Sequence, residues 1–330
     1  MFKRLGKTNI AVSPLGLGCW AIGGPFKFGG LEDGWGQVDD NESLRAIRRA
    51  MDVGINFFDT SDAYGAGRSE EVLGKAIRGR RQDAVVATKF GFPYHEGLKE
   101  VYDRYDMTPS YIREACEMSL RRLGTEYIDL YQIHPGLLSD EELRSAIDAL
   151  DGLKQAGKIR AYGWSTGDPN RAERFAERSD GSSIQHTLNV FAEAKELVDV
   201  CERHGMSSIA NTPLAMGLLS GKFSAATKLP PTDVRGSGHE WVTYFKEGKP
   251  DAALLSKLDA VREILGSDGR SLVQGALGWI WGRSGSVIPI PGFKTRMQVE
   301  DLAKAMIYGP LSPGRMDEID RLLGSVETGA

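Results

Sequence analysis

Short apolar runs alternate with longer amphipathic segments along most of this chain, and no other feature restricts its fold as tightly. An apolar run bounded by turn residues reads as a buried strand, and apolar residues recurring every three to four positions read as a helix with one buried face. The runs are Leu15–Cys19, Ile55–Phe58, Ala84–Thr88, Tyr127–Ile133, Ile159–Gly163, Ser183–His186, Ser207–Asn211 and Ser286–Ile290. Helical patterns separate them at 40–53, 69–77, 109–123, 141–156, 170–177 and 194–204. Thr108-Pro109 opens the third helix and Gly157 closes the fourth, as helix-boundary chemistry requires.

Strand and helix in strict alternation leave a closed eight-stranded barrel or an open doubly wound sheet. Eight units without a break in composition predict the (β/α)8 TIM barrel, an α/β fold with all 330 residues in one domain (1-330). Ahead of the first strand, residues 3–12 read as an N-terminal hairpin plug for one end of the barrel. A Gly- and Pro-rich stretch from 221 to 250 interrupts the rhythm, and loops of that length in compact domains usually carry function. Helices at about 251–265 and 271–282 precede the eighth strand. Extra C-terminal helices follow it at 295–306 and 313–323.

Composition removes several function classes. The net charge of -4 comes from 41 basic and 45 acidic side chains without a basic block, which argues against a nucleic-acid or membrane-surface role. Cys19, Cys116 and Cys201 are scattered and odd in number, so neither a disulfide framework nor a zinc knuckle is expected, and a cytoplasmic location fits. The first residues lack an apolar core of the signal-peptide kind, and no stretch approaches the roughly 18 apolar residues of a membrane span. The five histidines show no HExxH or HxxxH spacing, so no metal site is expected.

In a barrel, the carboxyl ends of the strands and the loops after them carry the chemistry. The second strand runs into Asp59-Thr60-Ser61-Asp62-Ala63-Tyr64-Gly65, the third ends in Thr88-Lys89, and the fourth ends in Gln132-Ile133-His134-Pro135. Taken singly, Asp59 also fits a turn, Tyr64 an aromatic lid, Lys89 a surface charge and His134 a core histidine. Taken together, they describe a metal-free proton-donating site. A tyrosine hydroxyl near pKa 10 needs a neighbouring cation to become a better acid, and Lys89 is the candidate. Asp59 would hold the lysine, and His134 would donate to an oxygen on which negative charge develops.

These residues sit in stretches that resemble the aldo-keto reductase superfamily over essentially the whole chain. The stretches are Leu15-Gly16-Leu17-Gly18, residues 54–65, Thr88-Lys89, residues 129–134 and Pro213–Lys222. The resemblance implies the same barrel, a catalytic tetrad of Asp59, Tyr64, Lys89 and His134, and a nicotinamide cofactor bound without a Rossmann domain. It further implies that Ser165 and Gln185 meet the nicotinamide carboxamide. Ser220, Gly221 and Lys222 would cover the pyrophosphate, and Pro291, Gly292, Lys294, Gln298 and Asp301 would meet the adenosine end. Trp20, Asp59, Thr166, Asn211, Pro213, Leu214 and Gly217 complete the expected cofactor set. Lys294 and Arg296 beside a helix amino terminus favour a 2'-phosphate, hence NADP(H), with NAD(H) as the other candidate.

Asn211 stands where the family usually stacks an aromatic ring on the nicotinamide, Thr166 and Leu302 replace more usual polar residues, and Pro135 follows His134 directly. Trp20, Phe26, Trp35, Tyr94 and Trp241 are the expected walls of a substrate pocket for a small-molecule carbonyl or alcohol. The chain is therefore expected to be an NADP-dependent oxidoreductase that reduces aldehydes or ketones, or oxidises a sugar or secondary alcohol in reverse. The competing reading is a cofactor-holding regulatory protein on the same scaffold, like potassium-channel beta subunits. A Rossmann dehydrogenase built on Gly16-Leu17-Gly18 is discounted, because the spacing is not GxGxxG and no helix opens directly after it.

Overall fold

A computed structural model describes residues 2–328. Eight strands form one parallel sheet in sequential order: β1 (Gly16–Gly18), β2 (Phe57–Asp59), β3 (Val85–Phe90), β4 (Ile128–Ile133), β5 (Ile159–Ser165), β6 (Ser183–Thr187), β7 (Ser207–Asn211) and β8 (Ile288–Pro289). The sheet closes where Gly18 N donates to Pro291 O at 2.9 Å and Gly18 bridges Gly292 in parallel register. A Cβ at Gly18 would lie 2.9 Å from Ile290 O, so only glycine permits that approach. The expected barrel is therefore the observed fold. Its first and last strands are shorter than their apolar runs.

Helices α1 (Asp40–Asp52), α2 (Arg68–Ile77), α3 (Pro109–Leu123), α4 (Asp140–Gln155), α5 (Pro169–Arg178) and α6 (Lys195–Arg203) follow successive strands. Then come α7 (Ala252–Leu265), α8 (Leu272–Arg283), α9 (Arg296–Tyr308) and α10 (Pro313–Thr328). Their starts are fixed by side chains that take up otherwise unpaired backbone donors. Asp39 caps α1, Thr108 with Pro109 opens α3, and Ser139, Ser271 and Thr295 form capping boxes with Glu142, Gln274 and Gln298.

Period-two alternation splits each strand between two cores. Outward residues such as Phe58, Val86, Tyr131 and Trp164 pack beneath the helices. Inward residues Phe57, Val85, Ala87, Leu130, Ala161, Ile209 and Ile288 fill the barrel's amino-terminal half together with Leu5, Ile10 and Val12. Those last three belong to the hairpin in which Lys3–Arg4 pairs with Ala11–Val12, the plug expected from sequence. Further along the same inward rows stand Asp59, Lys89, Gln132, Ser165, Gln185 and Asn211. The interior thus changes from apolar to polar toward the carboxyl ends of the strands.

The loops after β1 and β3 meet in a small sheet not anticipated from sequence. Lys27–Phe28 pairs with Leu31–Glu32 and with Glu100–Val101, which in turn pairs with Tyr94–His95. The long stretch after β7 contains a hairpin of Phe245–Lys246 with Lys249–Pro250. It is tied to the loop after β1 by a Trp35–Asp233 bridge and by Val234 N donating to Gly34 O at 2.8 Å. No helix among the described residues is long and apolar enough to cross a membrane.

Candidate active site

Asp59 ends β2, and Lys89 stands one strand over on β3, so both side chains rise inside the barrel just above its apolar half. Lys89 is fully buried, and its Nζ donates to Asp59 Oδ1 at 2.5 Å, to Thr60 O at 2.9 Å and to Tyr64 OH at 3.3 Å. The other carboxylate oxygen, Asp59 Oδ2, accepts from Gln132 Nε2 at 2.9 Å and Gln185 Nε2 at 2.8 Å. A buried charge survives only when paired and hydrogen-bonded, and here both ions are. Burial pushes the Lys89 ammonium down, but Asp59 and Tyr64 outweigh it and hold the pKa above its usual value.

Burial raises the Tyr64 pKa, and Lys89 only partly opposes that rise. The structure therefore corrects the expectation that the lysine makes the phenol more acidic overall. The desolvated phenol keeps its proton at neutral pH and holds it beside an ammonium. The residue is carried by a tight loop in which Tyr64 N donates to Ser61 O, and Ser69 N to Tyr64 O, both near the start of α2. Gly65 follows at φ +64°, where a Cβ would fall 2.2 Å from Gly23 O.

His134 lies beyond the end of β4, its ring edge-on to Tyr64 with centroids 5.8 Å apart. Burial, reinforced by the Lys89 charge, lowers its pKa to about 3, so the imidazole is neutral. Its Nδ1 lies 3.1 Å from Ser61 Oγ.

Two cavities meet over these groups. One, of about 930 Å³, is lined by Trp20, Phe26, Phe28, Phe92 and Trp241 and by the more polar Thr166, Thr187, Glu193 and Lys195, among others. The second, of about 630 Å³, runs toward the start of α9. Trp20, Tyr64, His134, Ser165, Gln185 and Asn211 line both. The second cavity gathers three cations, Lys222, Arg235 and Lys294. Arg235 is buried and paired with Asp233 through Nε–Oδ1 at 2.8 Å and Nη2–Oδ2 at 2.7 Å. Burial and the Arg235 charge lower the Lys222 pKa. Burial also lowers Lys294, aided by the two neighbouring cations and opposed by Asp233. Asp233 is the counter-charge within this group of three cations, while Asp59 and Asp301, which also line the cavity, are engaged by Lys89 and Gln274, so the cationic end is chemically suited to a polyanion.

Of the residues expected at a cofactor, Trp20, Asp59, Ser165, Gln185, Asn211, Pro213, Leu214, Gly217, Ser220, Lys222, Gly292, Lys294, Gln298 and Asp301 line the second cavity. Thr166 lines the first cavity instead. Pro291 lines neither, its carbonyl being used to close the barrel. Arg296 lines neither as well, because its backbone binds Glu42 and its side chain reaches toward Glu300 at the surface. Gln298 is engaged in capping α9, and Asp301 accepts from Gln274 Nε2 at 2.6 Å.

Among the expected substrate walls, Trp20, Phe26 and Trp241 line the first cavity. Trp35 belongs to the second, and Lys294 Nζ donates to its carbonyl. Tyr94 lines neither, since its hairpin lays the ring near the Arg122 guanidinium, 5.7 Å from the centroid. Sequence reasoning missed Gln132, Arg235, Phe293 and Asp33. For Gln132, its place two residues before His134 on an inward row was a usable signal. Asp33 is a buried carboxyl in the first cavity whose pKa burial raises well above the usual range.

Residues 14–323 match the profile of the Aldo/keto reductase family. Similar proteins include the aldo-keto reductase YhdN of Bacillus subtilis, 32% identical over 92% of this chain and 88% of that protein. Among solved structures, the glycerol dehydrogenase AKR11B4 from Gluconobacter oxydans superposes with a TM-score of 0.82 at 32% identity, covering 98% of this chain and 95% of that one. An aldo/keto reductase from Klebsiella pneumoniae, solved in complex with NADP and acetate, gives 0.72 at 25% identity over 98% and 95%.

Proposed function

The chain belongs to the aldo/keto reductase family, and from that premise we propose that it reduces an aldehyde or ketone carbonyl to an alcohol with NADPH, or runs that reaction in reverse on a sugar or secondary alcohol. The observation that carries this reading is the Asp59–Lys89–Tyr64 hydrogen-bonded run ending where the two cavities meet. Structures of similar reductases from Klebsiella pneumoniae hold NADP and NADPH, and the three cations of the second cavity are the donor set that a nucleotide with several phosphates requires.

In this reading Lys222 and Arg235 hold the pyrophosphate, and Lys294 meets the 2'-phosphate. Ser165 and the carbonyl end of the Gln185 amide orient the nicotinamide; the nitrogen end is already committed to Asp59. Arg296 has no part in it, which narrows the 2'-phosphate site to Lys294. The bound cofactor supplies or accepts the hydride. Tyr64 and neutral His134 donate to the carbonyl oxygen from one side, and Tyr64 passes its proton as negative charge grows there. Lys89 stabilises the phenolate left behind, and Asp59 keeps Lys89 charged and in place. Aromatic walls exclude water from the site. The entire chain acts as one barrel domain in this scheme.

Replacing Tyr64 with Phe removes the proton and keeps the ring. Turnover of NADPH against a panel of aldehydes, ketones and sugars should fall by about 100-fold or more, with NADPH binding little changed. Wild-type rates in Tyr64→Phe would refute the assignment.

A further inference from the structure

His134 can serve a carbonyl oxygen only if the proton of its neutral ring sits on Nε2, and its other nitrogen decides that. Nδ1 faces Ser61 Oγ at 3.1 Å, while Nε2 bonds to no described residue and His134 borders both cavities. Ser61 is in turn 3.2 Å from Asp62 Oδ1 and accepts from Ala63 N at 3.1 Å. A hydroxyl has one proton and two lone pairs. Ala63 N–H takes one lone pair, so a single proton and a single lone pair remain for Asp62 and His134.

With the Asp62 proton, where there is one, on the Oδ1 that faces Ser61, two arrangements satisfy every partner. If Asp62 is ionised, Ser61 donates to it and must accept from His134 Nδ1–H, which leaves Nε2 a bare acceptor turned toward the substrate. If Asp62 is protonated, it donates to Ser61, Ser61 donates to Nδ1, and the imidazole proton sits on Nε2. We propose that Asp62, in its protonated form and acting through Ser61, is a positioning residue that holds His134 in the Nε2–H tautomer. The inference rests on the reductase reading for what His134 does with that proton; the tautomer itself does not.

The surroundings of Asp62 agree. It is buried, with Glu70 of α2 and Arg122 of α3 as its charged neighbours and the phenols of Tyr94, Tyr111 and Tyr131 around it. Arg122 is committed to Glu70, donating from Nε to Oε2 at 2.6 Å. Burial and the Glu70 charge, against the weaker pull of Arg122 and of hydrogen bonds from Ser61 and the Ala63 amide, raise the Asp62 pKa to about 8. The carboxyl is therefore a donor at neutral pH and loses that capacity in mild alkali.

The test is 15N NMR of histidine-labelled protein, read below and above about pH 8, with the His134 signals assigned by their absence in His134→Asn. In the wild type the proton should lie on Nε2 below that pH and move to Nδ1 above it. Asp62→Asn supplies a permanent donor to Ser61 and should keep Nε2–H on both sides. Carbonyl reduction should fall about 100-fold through the same pH in the wild type, the usual cost of one lost donor to a developing oxyanion. In Asp62→Asn that fall should vanish. A wild-type ring protonated on Nδ1 at neutral pH, or an Nε2–H ring that never switches, overturns the proposal. So does a switch that persists in Asp62→Asn. Absence of carbonyl turnover in every form would refute the reductase reading and leave the NMR result to decide the tautomer.

Discussion

The buried Lys89–Asp59 pair should show itself as strongly non-additive in a double-mutant cycle of stability. Charges at 2.5 Å attract by about 6 to 7 kcal/mol at an effective dielectric of 20, and desolvation of the two ions cancels much of that gain. Removing one partner leaves the cancellation undone. In Lys89→Met, Asp59 Oδ2 keeps its two amide donors, but Oδ1 loses its lysine and the carboxyl is left without a cation in a dry interior. The expected cost is about 3 to 5 kcal/mol. In Asp59→Asn, Lys89 retains Thr60 O and Tyr64 OH yet faces no anion, with a cost of the same order. The double variant has no stranded charge, so its cost should fall short of the summed singles by about 2 kcal/mol or more. Urea unfolding of the cofactor-free protein at neutral pH, followed by tryptophan fluorescence, measures all four forms. Additive costs would mean that the pair is not coupled, and that Asp59 does not keep the lysine charged.

Three further outcomes are expected. Lys294→Met should weaken NADPH about 10-fold or more, the worth of a charge-assisted hydrogen bond, with little change for NADH and almost none for either cofactor in Arg296→Ala; equal losses of NADPH and NADH in Lys294→Met, by fluorescence titration, would dismiss the 2'-phosphate role. Burial holds His134 at about 3 and His186 at about 4, well below the 6.5 of a free imidazole, so the unfolded chain binds more protons in that interval. Stability is full above about pH 6.5 and declines as the pH falls through both folded values, and His186→Gln should flatten the decline in urea midpoints between neutral and mildly acid pH. Arg235→Met should destabilise the segment after β7 as well as weaken both cofactors, because its guanidinium holds Asp233 and lies against Trp35 and Phe223; a stability loss without a change in binding would make it purely structural.

The barrel was legible because its strands obey a local rule. Val85–Phe90 and Ile128–Ile133 are buried on both faces and so are mostly apolar; Lys89 and Gln132 stand where the interior turns polar, and the outward Thr88 and Asp129 are buried against Glu70 and Arg81. Asp59, Tyr64, Lys89 and His134 were legible for the same reason, each standing at or just beyond a strand's carboxyl end. What escaped was long-range. Arg235 sits in a stretch with no period, and nothing local says that it folds back over Trp35. Tyr94 looked like a pocket wall until strand pairing with Val101 swung it toward Arg122. The Tyr64 pKa was misjudged because sequence proximity reveals the cation but not the depth of burial, and burial is the larger influence.

The barrel's closing seam has a thermodynamic consequence. β8 is only two residues long and meets β1 through Gly18, Pro291 and Gly292, whereas β4 and β5 are joined along most of their length. Gly18, Ile290 and Gly292 also border the second cavity. On the cofactor placement proposed above, a nucleotide there would span the junction as a removable staple, strengthening a joint that, like the two-residue pairing of β7 with β8, the backbone leaves weakly bonded. Saturation at 100 times the dissociation constant adds about 2.7 kcal/mol to global stability. Amide exchange at Gly18 and around 288–292 should slow on NADPH binding more than exchange in β4, so that the cell's reduced-nucleotide level would set how tightly this barrel is shut.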